Sequence, residues 1–234
     1  TYAALDAEAD RVARHLVAAG VTQGSLVTLC VPRSVGFVAA VLGVLRAGAA
    51  YQPLDPTLPE ARRTLLLDDA DGVVLTTAEH AALFDGSGLR VLVLDDLGSD
   101  VAATLPAQRD ARDPAYVMYT SGSTGVVVPH RAVVRLVRGN DFCTMDAAAT
   151  WIALAPVAFD ASTLELWAPL LNGGRLVLLE ERVPSFDALG AALARHRVTH
   201  AWLTASYFNA VVDHDPLLLA PLAQLLNGGE ALSP

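Results

Sequence analysis

Short, continuous apolar runs alternating with stretches of helical spacing constrain this chain more than any other feature. Leu26 to Val31, Val73 to Thr76, Val91 to Leu94, Ala115 to Tyr119, Ile152 to Ala155, Arg175 to Leu179, Ala201 to Leu203 and Leu225-Leu226 read as strands. Runs of this kind are buried on both faces, so each needs cover from two sides. Between them, residues 2–19, Phe37 to Leu45, Glu60 to Asp69, Ala78 to Leu83, Arg131 to Phe142, Thr163 to Leu170, Phe186 to Arg195 and Tyr207 to Val212 read as helices. The alternation predicts an α/β fold of mostly parallel sheets flanked by helices. In such folds ligands collect outside the carboxyl ends of the strands. Every motif singled out below follows a predicted strand.

A hydrophobic fraction of 53% over 234 residues agrees with a large α/β core. The longest apolar runs fall well short of the about 18–20 residues needed to span a membrane, and Thr1-Tyr2-Ala3 has no basic and apolar leader character. Net charge is −9, and all 16 basic residues are arginine without a basic stripe, so nucleic acid is not an expected partner. Cys30 and Cys143 are too few for a disulfide framework, which fits a reducing, cytoplasmic setting. The six histidines show no metal-ligand spacing, and no G-x-S-x-G elbow is present.

The strand Ala115 to Tyr119 runs directly into Thr120, Ser121, Gly122, Ser123, Thr124 and Gly125. Glycines let successive N–H groups point into one concavity, and hydroxyls add short donors, a combination that cradles phosphate oxygens. It is not a Walker A loop, because no G-x-x-x-x-G-K-[ST] is present. Taken alone, the run also fits an ordinary Ser/Gly turn. Phe159-Asp160-Ala161-Ser162 follows a second strand. Asp160 is a candidate buried carboxylate for a substrate ammonium, or the N-cap of the helix that follows. Both readings stand on the residues alone.

Thr120 to Gly125, followed by Val126-Val127-Val128-Pro129-His130-Arg131-Ala132, resembles the phosphate-loop signature of the adenylate-forming enzymes. More narrowly it resembles the amino-acid-activating adenylation domains of nonribosomal peptide synthetases. Tyr51-Gln52-Pro53-Leu54-Asp55-Pro56 matches a second family signature, read here as a proline-pinned packing loop. F-D-x-S at Phe159 to Ser162 and G-G-E at Gly228 to Glu230 match two more. The resemblance covers essentially the whole chain and implies part of the large N-terminal domain of such an enzyme. It divides at roughly 1–113 and 114–234, the second part holding the phosphate loop and the amino-acid pocket.

By that resemblance Thr120 to Gly125 hold the ATP phosphates, and Mg²⁺ arrives with them. Asp160 fixes the α-amine, with Phe159 beside it. Ala161, Leu164, Ser206, Leu226 and Gly228 line the side-chain pocket, and Gly228, Gly229 and Glu230 lie against adenine. None of the wall residues is charged, so a neutral, mainly apolar amino acid is expected. The implied product is aminoacyl-AMP, the implied partners a carrier-protein phosphopantetheine thiol and a small activator protein. The alternatives are an acyl- or aryl-CoA ligase of the same superfamily, which Asp160 argues against, and a nucleotide-binding module that has lost catalysis.

The sequence departs from the family at one place. There the loop continues through one residue and Pro-Lys-Gly before the valines, whereas here Gly125 abuts Val126. The family's Y-G-P-T-E segment, ribose-binding aspartate and small C-terminal domain with its catalytic lysine also lie outside this sequence. Residues omitted from the sequence, or a true deletion, would each account for this. Intact flanking motifs favour the first.

Overall fold

The computed structural model describes the chain except for residues 69, 71, 99–100, 108–109, 120–123, 180 and 230–234. The chain divides into two compact units, Thr1–Ala132 and Val133–Pro234.

The first unit opens with α1 (Tyr2–Ala18), capped by the Thr1 hydroxyl, which accepts from the Ala4 N–H at 3.2 Å. The helix buries Ala9, Val12, Ala13 and Leu16, an i, i+3, i+4, i+7 stripe. That stripe lies on α2 (Val35–Arg46), capped by Ser34 and apolar along most of its length. At Gly43 a β-carbon would fall 2.5 Å from Val12 Cγ1, so glycine is what lets the two helices approach this closely. Arg46 clamps the pair by reaching Asp6 and Asp10 of α1.

β1 (Leu26–Cys30), β2 (Ala50–Pro53), β3 (Val73–Thr76), β4 (Arg90–Val93), β5 (Pro114–Tyr119) and β6 (Gly125–Pro129) form a sheet ordered β4-β3-β1-β2-β5-β6. All neighbours are parallel except β5 and β6, an antiparallel hairpin. α3 (Glu60–Leu67) is shorter than its expected span, and a single 3₁₀ turn at Ala81–Phe84 replaces the expected helix near Ala78.

Two expectations need correction here. Residues 50–53 are not loop but a central strand, each of them buried. Pro53 is tolerated because it stands last in the strand, and Gln52, fully buried, donates from Nε2 to the Leu66 carbonyl at 2.8 Å. The expected division at residue 113 is also displaced. β5 pairs with β2 at Tyr51↔Tyr116, where the two rings sit 5.5 Å apart, so the phosphate-loop strand belongs to the first unit. The loose composition of residues 97–113 marks a connection across one sheet rather than a boundary.

The border falls inside α4 (His130–Val137), which ends five residues earlier than the helical pattern suggested. Asn140 closes it by donating from Nδ2 to the Arg135 and Leu136 carbonyls. The second unit then follows strict strand-helix alternation: β7 (Thr150–Ala153), α5 (Ala161–Asn172), β8 (Arg175–Leu178), α6 (Phe186–His196), β9 (His200–Thr204), α7 (Ala205–His214) and β10 (Gln224–Gly228). The strands form a parallel sheet ordered β10-β9-β7-β8. One core beneath it joins Ile152 and Val177 of the sheet to Leu189 and Leu193 of α6 and Val211 of α7.

At the amino ends of these strands lies a second buried polar group. His200 stacks on Trp151 at 5.0 Å between centroids, and its Nδ1 lies 2.7 Å from the Thr199 hydroxyl. Gln224 Oε1 accepts from the Thr144 N–H and the Cys143 thiol, both at 2.8 Å. Among the described residues, no helix is long and apolar enough to cross a membrane, and no group of three or more His, Cys, Asp or Glu side chains could hold a metal ion.

Candidate functional site

In the first unit, the β5–β6 hairpin is paired as far as Tyr119↔Gly125, and residues 120–123 between them lie outside the described residues. The loop therefore leaves the carboxyl end of a parallel strand, where an α/β sheet gathers its ligands. Thr124 is exposed. At Gly125 a β-carbon would lie 2.8 Å from Val117 Cγ1 and 3.0 Å from the Tyr119 ring, so the position accepts no side chain without displacement. The expected phosphate ligands Thr120, Ser121, Gly122 and Ser123 lie outside the described residues, as does Glu230 of the expected adenine segment.

In the second unit, a cleft of about 470 Å³ opens at the carboxyl ends of β7 and β9. Leu154, Ala155 and Pro156 form one wall, Trp202, Leu203, Thr204 and Tyr207 another, and Arg182, Val183 and Pro184 a third. Tyr207 fixes the third wall by donating from its hydroxyl to the Pro184 carbonyl at 3.1 Å, and burial pushes its phenol up. Thr204 caps α7, its hydroxyl accepting from the Tyr207 N–H at 3.2 Å. The walls are mostly apolar. Arg182, on the rim, is exposed.

The expected pocket residues do not line this cleft. Phe159 and Asp160 come three and four residues after Pro156. Ala161 opens α5, and Leu164 is buried one turn on. Ser206 stands exposed beside Thr204 at the head of α7. Leu226 pairs with Trp202 and Gly228 with Thr204 across β10 and β9, and Gly229 follows at the exposed end. The sheet thus brings Phe159 to Leu164, Ser206 and Gly228 to the same edge. It does not bury Asp160 as expected. The carboxylate is exposed, because the β7–α5 loop carries it past the end of the sheet.

Both possible roles of Asp160 meet at this point. It does occupy the N-cap position of α5, its carbonyl accepting from the Thr163 N–H at 2.9 Å. Its backbone is already helical, with φ −60° and ψ −32°, and its side chain makes no capping bond. The carboxylate is left exposed, four residues past Pro156 of the cleft wall. Ser162 does local work instead, its hydroxyl shared between the Phe159 carbonyl at 2.6 Å and the Val157 carbonyl at 3.2 Å. The Phe159 N–H in turn reaches the Pro156 carbonyl at 2.9 Å. The F-D-A-S stretch is a turn tied to itself.

Sequence reasoning missed Glu165. One turn into α5 and 1% exposed, its carboxylate accepts from the N–H groups of Leu154 and Ala155 at 3.0 to 3.2 Å. A lone charge in the apolar helix Thr163 to Leu170 was the available signal, since buried charges require partners. Trp202 and Tyr207, which supply most of the aromatic wall, were read only as parts of a strand and a helix.

Comparison with known proteins places these features. A family model described as AMP-binding enzyme matches residues 1–234. A linear gramicidin synthase chain of Brevibacillus parabrevis is 42% identical over 244 residues, covering 100% of this chain, which spans only 3% of that synthase chain. Malpibaldin synthetase of Mortierella alpina is 43% identical over 239 residues, covering 98% of this chain and 4% of its own length. A solved nonribosomal peptide synthetase in its alpha-methyl-L-serine-AMP bound form superposes with a TM-score of 0.90 at 32% identity, covering 100% of this chain and 27% of its own. A holo nonribosomal peptide synthetase protein containing adenylation and PCP domains, bound to a vinylsulfonamide inhibitor, gives 0.89 at 28% identity, covering 100% of this chain and 41% of its own. The chain belongs to the AMP-binding enzyme family and shares its fold, over its whole length, with nonribosomal peptide synthetases of known structure.

Proposed function

We propose that this chain carries the phosphate loop and the acyl pocket of a ligase that activates a neutral, mainly apolar amino acid with ATP. A carboxylate oxygen of the amino acid attacks the α-phosphorus, pyrophosphate leaves with the electron pair, and aminoacyl-AMP remains. A carrier-protein phosphopantetheine thiol then attacks the acyl carbonyl and releases AMP. Thr120 to Gly125 take the β- and γ-phosphates, with Mg²⁺ entering as part of the ATP complex.

The observation that carries the reading is the pairing of Asp160 with its surroundings. An exposed carboxylate whose side chain caps nothing stands at the head of α5, four residues after Pro156 of a mostly apolar cleft. The carboxylate suits a substrate ammonium, and the cleft suits an uncharged side chain. Arg182 is screened by solvent on the rim and does not reverse that preference. The relatives support the reading through an adenylate bound in one and a PCP domain in the other.

Amino-acid-dependent ATP–pyrophosphate exchange on the full-length protein tests the proposal, across neutral, acidic and basic amino acids and a few acyl and aryl acids. Exchange with a neutral amino acid is the expected result. Exchange driven only by an acyl or aryl acid would move the protein to the CoA-ligase reading.

A second reading rests on the shortened hairpin, which pairs Tyr119 with Gly125 while the sequence holds no lysine. On it, the protein binds nucleotide without activating any acid. ATP binding by calorimetry without exchange for any acid would establish that reading instead.

A further inference from the structure

We infer that Glu165 is a positioning residue for the acyl site: it sets where the cleft wall Leu154–Pro156 and the loop bearing Phe159 and Asp160 stand. The inference rests on reading this cleft as the amino-acid site.

The ladder of β7 ends at Ala153↔Leu178. Leu154 and Ala155 are the next two residues, and they form a wall of the cleft before the chain turns through Pro156. Strand ends past the last paired residue are free to splay. Here both N–H groups converge on one carboxylate, each bonded to both oxygens at 3.0 to 3.2 Å. The carboxylate comes from α5, the helix that the same loop feeds. Residues 156–160 are therefore a closed span, fixed at the strand end by the Glu165 bonds and at the helix head by the Ser162 bonds to Val157 and Phe159.

A carboxylate 1% exposed is costly to bury, and a helix needing only packing would place leucine at this position. Hydrogen bonds from N–H donors to an anion are stronger than neutral pairs. These bonds grip the main chain of the cleft wall, so their loss should reach the amino acid more than ATP.

Glu165→Gln keeps the size and one acceptor oxygen but turns an NH₂ group toward two N–H donors. Glu165→Asp keeps the charge and withdraws it by one methylene. In the full-length protein, the expected result for Glu165→Gln is a rise of at least fivefold in KM for the amino acid, with KM for ATP within twofold of wild type. Glu165→Asp should give a smaller rise of the same kind, and decides the matter if the glutamine variant does not fold. Amide hydrogen exchange at Leu154 and Ala155 should accelerate in either variant while that of Ile152 is unchanged. A folded variant with both KM values unchanged, its only defect a lower melting temperature, overturns the positioning role and leaves the amino-acid reading intact. Wild-type protein that exchanges with no amino acid overturns both.

Discussion

Gly228 and Trp202 meet diagonally across neighbouring strands, two register positions apart: a β-carbon on the glycine would lie 3.5 Å from both Nε1 and Cζ2 of the indole. That is ordinary contact, with no room beyond it. Alanine at 228 should therefore be tolerated, keeping exchange within about threefold. Gly228→Val should push the indole into the cleft it lines. Overpacking of this kind costs about 1–3 kcal/mol of stability, and the displaced indole should also lower kcat/KM. Trp202→Ala in the same chain should restore part of the loss, and a double-mutant cycle on exchange rates measures the coupling.

Asp160→Ala separates substrate binding from folding. The carboxylate is exposed and caps nothing, so its loss should change stability by no more than about 0.5 kcal/mol. Once the bound amino acid covers it, a carboxylate–ammonium pair broken on one side costs about 2–5 kcal/mol, which predicts exchange lowered by about 30- to 5,000-fold. Thermal melts and exchange on one preparation check both halves. A large drop in melting temperature would show instead that Asp160 is a structural residue.

Gly125 is the last paired residue of the hairpin, opposite Tyr119. Alanine there would meet Val117 Cγ1 at 2.8 Å and the Tyr119 ring at 3.0 Å, both packed in the sheet rather than free to swing away. Gly125→Ala should lose about 1–3 kcal/mol. For a chain of this size that lowers the melting temperature by about 2–12 °C. ATP affinity, measured by calorimetry, should weaken as the hairpin end opens.

His200 makes stability depend on pH. Burial holds its imidazole below the usual histidine range, opposed by the Thr144 backbone, the Asp146 charge and the Gln224 side chain. The folded chain therefore binds this proton less readily than the unfolded chain, whose histidines titrate near about 6.5. The stabilising contribution is complete above that value and is lost as pH falls toward the folded pKa. Melting temperatures between pH 8 and 5 should decline below about 6.5 in wild type and decline less steeply in His200→Gln.

The helices and strands were legible wherever the apolar pattern was long or unbroken, as at Leu26 to Cys30 and Phe186 to Arg195. The central strand Ala50–Pro53 was not, because a glutamine and a proline carry the composition of a loop. Only the parallel neighbours on both sides, and the Leu66 carbonyl waiting for Gln52, reveal why it is buried. The F-D-A-S stretch was found, but its mechanics were misjudged. The aspartate looked buried, while the buried carboxylate stands five residues on at Glu165. A sequence displays residue types at fixed spacing, whereas which of two nearby acids turns inward depends on the direction in which the strand–helix connection leaves the sheet. The division of the chain failed for a related reason: a polar connection looks the same whether it joins two units or two strands of one sheet.

Glu165 grips peptide groups and is blind to the side chains that those peptide groups carry. The groups it holds at Leu154 and Ala155 are main-chain N–H donors, which every residue but proline supplies. A pocket whose frame is held by backbone can change its lining one residue at a time while the outward carboxylate at Asp160 keeps its station. On the proposed amino-acid reading, such a scaffold can drift from one substrate to another through folded intermediates.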